Sequence, residues 1–526
     1  MPKGPSSIRL ISRVRRHWHI MLVLAVLSPI YVCWTWTNQI GSMSSDAPAY
    51  LVMAQHYSGE HRYPGAAAVA ASQNRFPPLY PIALARLHAV DDLHRTHMVT
   101  TGFFLLALLA LYGCLFRAGL LASEAALLTL LFAVLPGSWL LVLSLQSEFP
   151  YLLFSCISLM FLLMHWRLPR DEFLYAAALA AAAAMLTRSI GVTLLAPLLI
   201  GAVRAGRRPG MLALVLALAP LMLWHVFHHA AVGYTETLRL YYGDSTAPPL
   251  AAQLETTLSA LHEGFNSSLG RTGGLDWLAD ALGVAFVAGL LCRGVKLQPD
   301  GVYLLVYLAA VLVWPFPDEP QRFLWPALPL LMAQPALALV QLAAPSLRDS
   351  WGKLAAGVVA AVVLIFALPA LASASARFLS ADDSSVPDAR GMRSWYQADP
   401  AKAARRTAGE ALAIGMLRRM AEEVPPGDCV ISIRPDLVNY FAGRLAAWPP
   451  LDSVPEPRFS QQLHGAHCRY LFMTTASYTG YPVPLHPLQH LAGKIDVVDY
   501  GEVPLAAPGD GRIICLLAKF SGENLR

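Results

Sequence analysis

Two carboxylates and three arginines interrupt long apolar stretches. Asp46, in Ser-Met-Ser-Ser-Asp-Ala-Pro-Ala-Tyr, directly follows the first apolar run. A carboxylate there can act as a general base on an acceptor held at a membrane surface; with Ser44 and Ser45 beside it, it equally suits the N-cap of the next helix. Glu148, in Gln-Ser-Glu-Phe-Pro at 146–150, lies where one apolar run ends and another begins. An acidic side chain in the apolar zone costs roughly 2–3 kcal/mol or more, so Glu148 needs a polar cavity or a partner unless it sits in the headgroup layer. Together the two carboxylates can divide a base role from a cation-binding or substrate-orienting one. Arg75 precedes Phe-Pro-Pro-Leu-Tyr-Pro, Arg188 splits an alanine-rich run with no acidic neighbour in sequence, and Arg322 lies in Asp-Glu-Pro-Gln-Arg-Phe-Leu-Trp-Pro. Guanidinium groups pair bidentately with phosphate, so three beside a membrane cavity suit a phosphorylated lipid-linked substrate; singly, each can snorkel to lipid phosphates.

The elements that must position these residues are membrane helices. The chain has 526 residues, 56% hydrophobic and only 14% charged, with mean hydropathy +0.47, whereas soluble domains carry about 25% charge. Eleven apolar runs read as spans, near 19–36, 97–117, 122–144, 149–166, 173–187, 189–204, 210–229, 275–293, 301–316, 322–343 and 352–372. Tyr31, Trp34 and Trp36 at the end of the first suit an interface, and no small-residue cleavage site follows, so it reads as an uncleaved span. Arg117, then Arg167 and Arg170, then Arg204, Arg207 and Arg208, then Arg293 and Lys296, and finally Arg348 and Lys353 mark alternate connections as cytoplasmic. The N-terminus is then cytoplasmic and the C-terminus outside, in the periplasm of a bacterial inner membrane. The long connections 37–96 and 230–274 fall on the outer side. Within the first, residues 46–57 place Tyr50, Leu51 and Ala54 at helical intervals, predicting an amphipathic helix at the interface before Pro77, Pro78 and Pro81 break the backbone.

After 372 the composition turns charged and proline-rich. Residues 373–526 read as a separate outer α/β domain, with strands at Cys429–Ile433, Tyr470–Met473, Ile495–Val498 and Ile513–Leu517 and helices at 401–423 and 436–443. The formal charge of +5 reports topology rather than a nucleic-acid partner, because the basic residues flank the spans. The seven cysteines show no zinc spacing; Cys429, Cys468 and Cys515 share one compartment, which allows one disulfide of undecided pairing. His225, His228 and His229 are an interface cluster without a matched carboxylate, and Asn266-Ser267-Ser268 is a sequon without force in a bacterial chain. No Gly-rich phosphate fingerprint occurs.

Taken in order, these motifs resemble the GT-C glycosyltransferases, most of all the protein O-mannosyltransferase and lipid A aminoarabinose transferase branch. The resemblance spans roughly residues 19–345: the acidic residue, Tyr and helix after the first span, the basic residue before Pro-Pro-Leu-Tyr, Pro136, Ser-Glu-Phe-Pro at 147–150, Thr-Arg-Ser-Ile-Gly at 187–191, and Glu-Pro-Gln-Arg-Phe-Leu-Trp-Pro at 319–326 leading to Pro329. It implies a polytopic α-helical fold at 1–372 and transfer of a sugar from a polyprenyl-phosphate carrier to a glycolipid, polysaccharide or protein acceptor outside the membrane. Asp46 is then the catalytic base, Glu148 the second acidic residue and Arg75 a contact to the donor phosphate. Arg188 and Arg322 match recurrent positions, with phosphate contact inferred from their charge, and Tyr50 and Tyr80 belong to the substrate side. The family often carries a second acidic residue directly after the catalytic one; here Ala47 stands there, which shifts weight to Glu148. A divalent metal remains open, with no dedicated ligand cluster. The mechanism implied inverts the anomeric carbon. A transporter or flippase of an anionic lipid, or a polysaccharide polymerase or ligase, would share the arginines and the membrane setting.

Overall fold

The computed structural model describes residues 6–36, 46–59, 76–90, 92–227, 250–269, 275–313, 320–380, 400–447, 468–475, 495–504 and 512–521. The apolar runs fold as helices, some of them with an interior proline such as Pro29, Pro220, Pro335 or Pro369, and prolines and glycines set where many others stop. The first run forms α1 (Ser6–Trp34). Its Tyr31 donates to the Ala133 carbonyl at 2.5 Å and Trp34 Nε1 to that of Trp139 at 3.1 Å. Next come α2 (Ala47–Ser58), α3 (Leu79–Arg86) and α4 (Leu93–Ala118). Helices α5 (Ala122–Val134) and α6 (Pro136–Leu143) meet at 65°, because Leu135 precedes a proline and is held extended at φ −61° and ψ 137°. The next stretch holds α7 (Glu148–Arg167), α8 (Asp171–Met185), a 3-10 helix (Ser189–Leu194), α9 (Leu195–Ala205) and α10 (Arg207–Phe227). After it follow α11 (Leu250–Leu269), α12 (Asp276–Val295), α13 (Pro299–Leu312), α14 (Pro320–Leu324), α15 (Leu328–Leu342) and α16 (Arg348–Ser380).

The chain is a polytopic membrane protein with a C-terminal sheet domain. Among the described residues six helices have the length and apolarity to cross a bilayer, and the bent pair α5–α6 makes a seventh. The other four of the eleven expected runs fold as helices too, but Asp171–Met185, Ser189–Ala205, Pro299–Leu312 and Leu328–Leu342 fall short of the about 20 residues an upright crossing needs. Eleven separate crossings are therefore more than length supports. Helix α11 occupies much of what the sequence presents as the loop 230–274.

Arg293 is more than a topology marker. It is 2% exposed and grips Asp300 with Nε to Oδ2 at 2.7 Å and Nη2 to Oδ1 at 2.6 Å, while Gln334 Nε2 donates to the same carboxylate at 3.2 Å. The pair locks α12, α13 and α15 together, and a buried charge of this kind persists only when its partner is fixed.

Helix α2 also departs from expectation. An interfacial amphipathic helix would expose one face, yet every residue from Ala47 to Gln55 is buried. One side packs Ala49, Tyr50, Met53 and Ala54 on Phe76, Tyr80 and Leu84. The other side meets the C-terminal domain, which the interval pattern of a single segment does not reveal.

That domain contains α17 (Pro400–Glu423), β1 (Cys429–Ile431), α18 (Pro435–Ala442), β2 (Leu445–Ala447), β3 (Tyr470–Thr474), β4 (Ile495–Pro504) and β5 (Arg512–Phe520). Its five-stranded sheet runs β2-β1-β3-β5-β4, with β1 parallel to β2 and β3, and β5 antiparallel to β3 and β4. Strand β2, three residues long, is the one the sequence pattern misses. Ala413, Leu417 and Met420 of α17 cover Val430, Phe472 and Leu517 of the sheet. A disulfide joins Cys429 to Cys468, settling the pairing. Cys515 stays a buried thiol beside the Thr474 hydroxyl at 3.1 Å, and burial pushes it up to about 11.

Candidate functional site

Four charged residues far apart in sequence converge. Asp46 stands at the N-cap of α2 but makes no side-chain cap hydrogen bond; its carboxylate is instead paired with Arg322 Nη2. Arg322 also donates from Nε to Glu148 Oε1 at 2.5 Å, and Arg188 Nη1 donates to that same oxygen at 2.6 Å. Asp46, Arg322, Glu148 and Arg188 thus form one chain of ion pairs. Both arginine side chains are 11% exposed, Glu148 is 1% and Asp46 26%, so Asp46 is the member most open to an incoming group. Glu148 is sealed inside the protein, balanced by two cations as a buried charge requires. Among the described residues its Oε2 has no hydrogen-bond partner.

Local backbone aims these groups. Glu148 opens α7 directly after Ser144–Ser147, where Leu145 takes the left-handed conformation at φ 51°, a state costing a non-glycine residue about 1–2 kcal/mol. Leu145 is held there by burial against Ala47 and Leu51, so the turn carrying Glu148 is keyed to the helix carrying Asp46. Arg188 lies in the break between α8 and the 3-10 helix, its N–H donating to Ala184 at 2.9 Å and its carbonyl accepting from Gly191 at 2.9 Å. The break is tight: a Cβ on Gly191 would stand 2.7 Å from the Met185 nitrogen. Arg322 comes from the five-residue α14.

Electrostatics fix the charge on Asp46. Burial alone pushes its carboxyl up, but the charge and hydrogen bond of Arg322 and the charges of Arg188 and Arg434 outweigh this and hold it below the usual carboxylate range. Tyr50, 2% exposed, shares a hydrogen bond with Ser147 at 2.7 Å, and Ser147 also accepts from Arg188 at 3.2 Å. Tyr80, 1% exposed, shares one with Thr100 at 2.7 Å and packs its ring on Tyr50 at 5.3 Å. Both tyrosines therefore brace the carboxylate helix from within. Arg75, His228 and His229 lie outside the described residues, and His225 is exposed. Among the described residues no group of three or more His, Cys, Asp or Glu side chains stands ready for a metal.

Sequence reasoning missed two participants. Ser147 was visible only as part of a motif, and its bridging hydroxyl becomes meaningful once Tyr50 and Arg188 are seen to meet there. Arg434, at the N-cap of α18, adds its charge, after those of Arg322 and Arg188, to what holds the Asp46 carboxyl low. No local signal joins it to a carboxylate almost four hundred positions earlier.

No family model matches the chain, and no curated protein matches it. Among solved structures it is similar to ArnT from Cupriavidus metallidurans bound to undecaprenyl phosphate, at 13% identity over 94% of this chain and 97% of that one, TM-score 0.49. The apo state of that ArnT gives 13% identity, the same coverage and TM-score 0.47. The oligosaccharyltransferase of Archaeoglobus fulgidus, tethered through a disulfide to an acceptor peptide containing the NVT sequon, gives 14% identity over 88% of this chain and 70% of that one, TM-score 0.49. Both proteins are GT-C fold membrane glycosyltransferases.

Proposed function

We propose that the chain is a membrane glycosyltransferase that moves a sugar from a polyprenyl-phosphate donor to an acceptor on the outer, periplasmic face of a bacterial inner membrane, with inversion and with Asp46 as general base. The observation that carries this reading is the cluster itself: a partly open carboxylate joined through Arg322 to a sealed Glu148–Arg188 pair. Such a cluster holds a proton acceptor next to anion-binding groups in a poorly solvated setting, which is what displacement of a phosphate from an anomeric carbon requires. The motif resemblance supports the donor class, with Arg75 at the donor phosphate.

The acceptor's O–H or N–H bond breaks and its proton passes to Asp46; the new bond forms at the anomeric carbon as the carbon–oxygen bond to phosphate breaks, and that electron pair leaves on the phosphate oxygen. Arg322 and Arg188 stabilise the growing phosphate charge more than they stabilise the bound donor, because they are already placed and little water competes. The acceptor must approach from the face opposite the phosphate, which gives inversion.

The test is reconstitution of the purified protein with labelled polyprenyl-phosphate sugars and glycolipid, polysaccharide or protein acceptors. Equal amounts of free polyprenyl phosphate and of product with inverted anomeric configuration, read by NMR, are expected. Donor carried across the bilayer unchanged would replace this reading with transport. A second variant checks the positioning of Arg188: Gly191→Ala forces the 3-10 helix away from α8. With folded yield retained, turnover should fall on the order of 10–100-fold, since displacing a binding group by about 1 Å costs that much. Unchanged turnover would remove Arg188 from the site.

A further inference from the structure

The C-terminal domain is fastened to the helix that carries Asp46. Tyr440 and Phe441 of α18 pack on Ala47, Leu51, Leu93 and Leu145, and Tyr440 with Leu445 covers Val52. These contacts reach both segments that present the carboxylates, since Leu145 sits in the turn just before Glu148 and Ala47 just after Asp46. At the N-cap of the same helix, Arg434 is clamped by Asp436, with Nε to Oδ1 at 3.0 Å and Nη2 to Oδ2 at 2.7 Å. Its own N–H donates to Ser432 Oγ at 3.1 Å. The arginine side chain is 17% exposed and that of Asp436 3%, so the guanidinium has a fixed place at the junction.

We propose that Arg434 is a positioning residue of the transfer site: docking of α18 on α2 places a clamped guanidinium of the C-terminal domain on the side of the Asp46 carboxylate, so the seated domain helps hold the charge of the base. This rests on the reading of Asp46 as the base. The groups that act on Asp46 are Arg322 from α14, Arg188 from the break after α8, Arg434 from the edge of α18 and Tyr50 from its own helix, with Glu148 sharing Arg322. Arg322 and Arg188 are both engaged by Glu148 and are the groups a donor phosphate would claim. Arg434, tied to Asp436 and carried by a separate domain, keeps its place while that exchange occurs. It therefore maintains the ionised carboxylate when Arg322 is drawn toward phosphate. An α18 that lifts would let the carboxylate take up its proton at higher pH without disturbing the donor contacts, coupling the pH range of turnover to the position of the C-terminal domain.

The experiment compares full-length wild type, Arg434→Gln, Arg434→Lys and Asp46→Asn in bilayers, reading two things. The first is the pH profile of donor turnover at saturating donor. Arg434→Gln should move its acid limb upward, as loss of a nearby opposite charge does, with donor KM within about twofold; Arg434→Lys should restore the limb. A purely structural role would lower rates equally at all pH. The second is carboxylate infrared titration, with Asp46→Asn identifying the Asp46 band. It needs no turnover, so it stands even if the transferase reading fails. Arg434→Gln should raise the Asp46 midpoint in the same direction. An unmoved limb together with an unmoved midpoint overturns the proposal. Where Arg434→Gln yields little folded protein, Arg434→Gln with Asp436→Asn removes the clamp as a pair, leaving no buried carboxylate unpaired, and is held to the same two readouts.

Discussion

Asp46→Asn should abolish sugar transfer while leaving donor binding intact. Asparagine keeps the shape of the side chain and can still accept from Arg322, but it cannot take a proton, and a positioned base contributes typically 10²–10⁴-fold, or roughly 3–5 kcal/mol of barrier. Donor affinity should hold or rise, because the wild-type carboxylate competes with the donor phosphate for Arg322. The expected signature is therefore kcat down by about 10²–10⁴ with KM equal or lower. A loss of binding with kcat preserved would instead make Asp46 a donor contact. The pH dependence follows from the same pair. The folded-state carboxyl lies below its ordinary value because burial is outweighed by Arg322 and then by Arg188 and Arg434. A depressed acid stays ionised through neutral pH, so turnover should be level down to moderately acid conditions and fall only as pH drops through the lowered value. The linked stability has the same sign: it is fully present above the unfolded carboxyl value of about 3.9 and is lost below it. A base held this acidic at rest is a weak one. On the proposed reading, a donor phosphate that draws Arg322 away would strengthen it at the moment it is needed, coupling donor binding to base readiness.

The membrane helices were legible because hydropathy is a property of each segment alone. Among the described residues the apolar runs are helical, some as a broken pair rather than one rod, and Pro136, which bends α5 against α6, is visible as a breaker. The lengths of the four short helices were harder to read, since an apolar run continues through a turn such as Leu186–Arg188 as readily as through a helix. At the site, residue chemistry was enough to single out Asp46, Glu148, Arg188 and Arg322, because a charge inside an apolar stretch demands a partner. Which charges pair is a property of tertiary packing, and sequence distance hides it: Arg322 was read toward phosphate, yet among the described residues it holds both carboxylates. The same limit explains α2. Its residues are apolar enough for a membrane surface, and only the second layer, α18 arriving from the C-terminal domain, turns that surface into an interior. Arg293 shows the converse error, a flanking basic residue whose partner Asp300 stands seven positions on, one helix later.

Glu148→Gln should be the most destabilising single change in the cluster. Glu148 Oε1 accepts from Arg188 at 2.6 Å and Arg322 at 2.5 Å, so neutralising it leaves two poorly solvated guanidinium groups facing each other with one carboxylate between them in place of two. Breaking one side of a buried pair costs about 3–5 kcal/mol, since the remaining charge has lost its compensation. In the resting protein this should appear as a markedly lower midpoint of thermal unfolding in detergent, followed by tryptophan fluorescence. The discriminating measurement adds polyprenyl phosphate, whose anion can stand in for the lost carboxylate. Its stabilisation of Glu148→Gln should exceed its stabilisation of wild type, because binding now relieves repulsion as well as adding contacts. The double change Glu148→Gln with Arg188→Gln should recover part of the loss, since removing both partners of the sealed pair leaves Arg322 with Asp46. If the single variant unfolds like wild type and gains nothing extra from polyprenyl phosphate, the arginines are not held by Glu148 in the membrane-embedded protein. A cluster in which Glu148 supplies half the counter-charge accounts for its being sealed while Asp46 is partly open: on the proposed reading one carboxylate stores the arginines, and the other is left within reach of an acceptor.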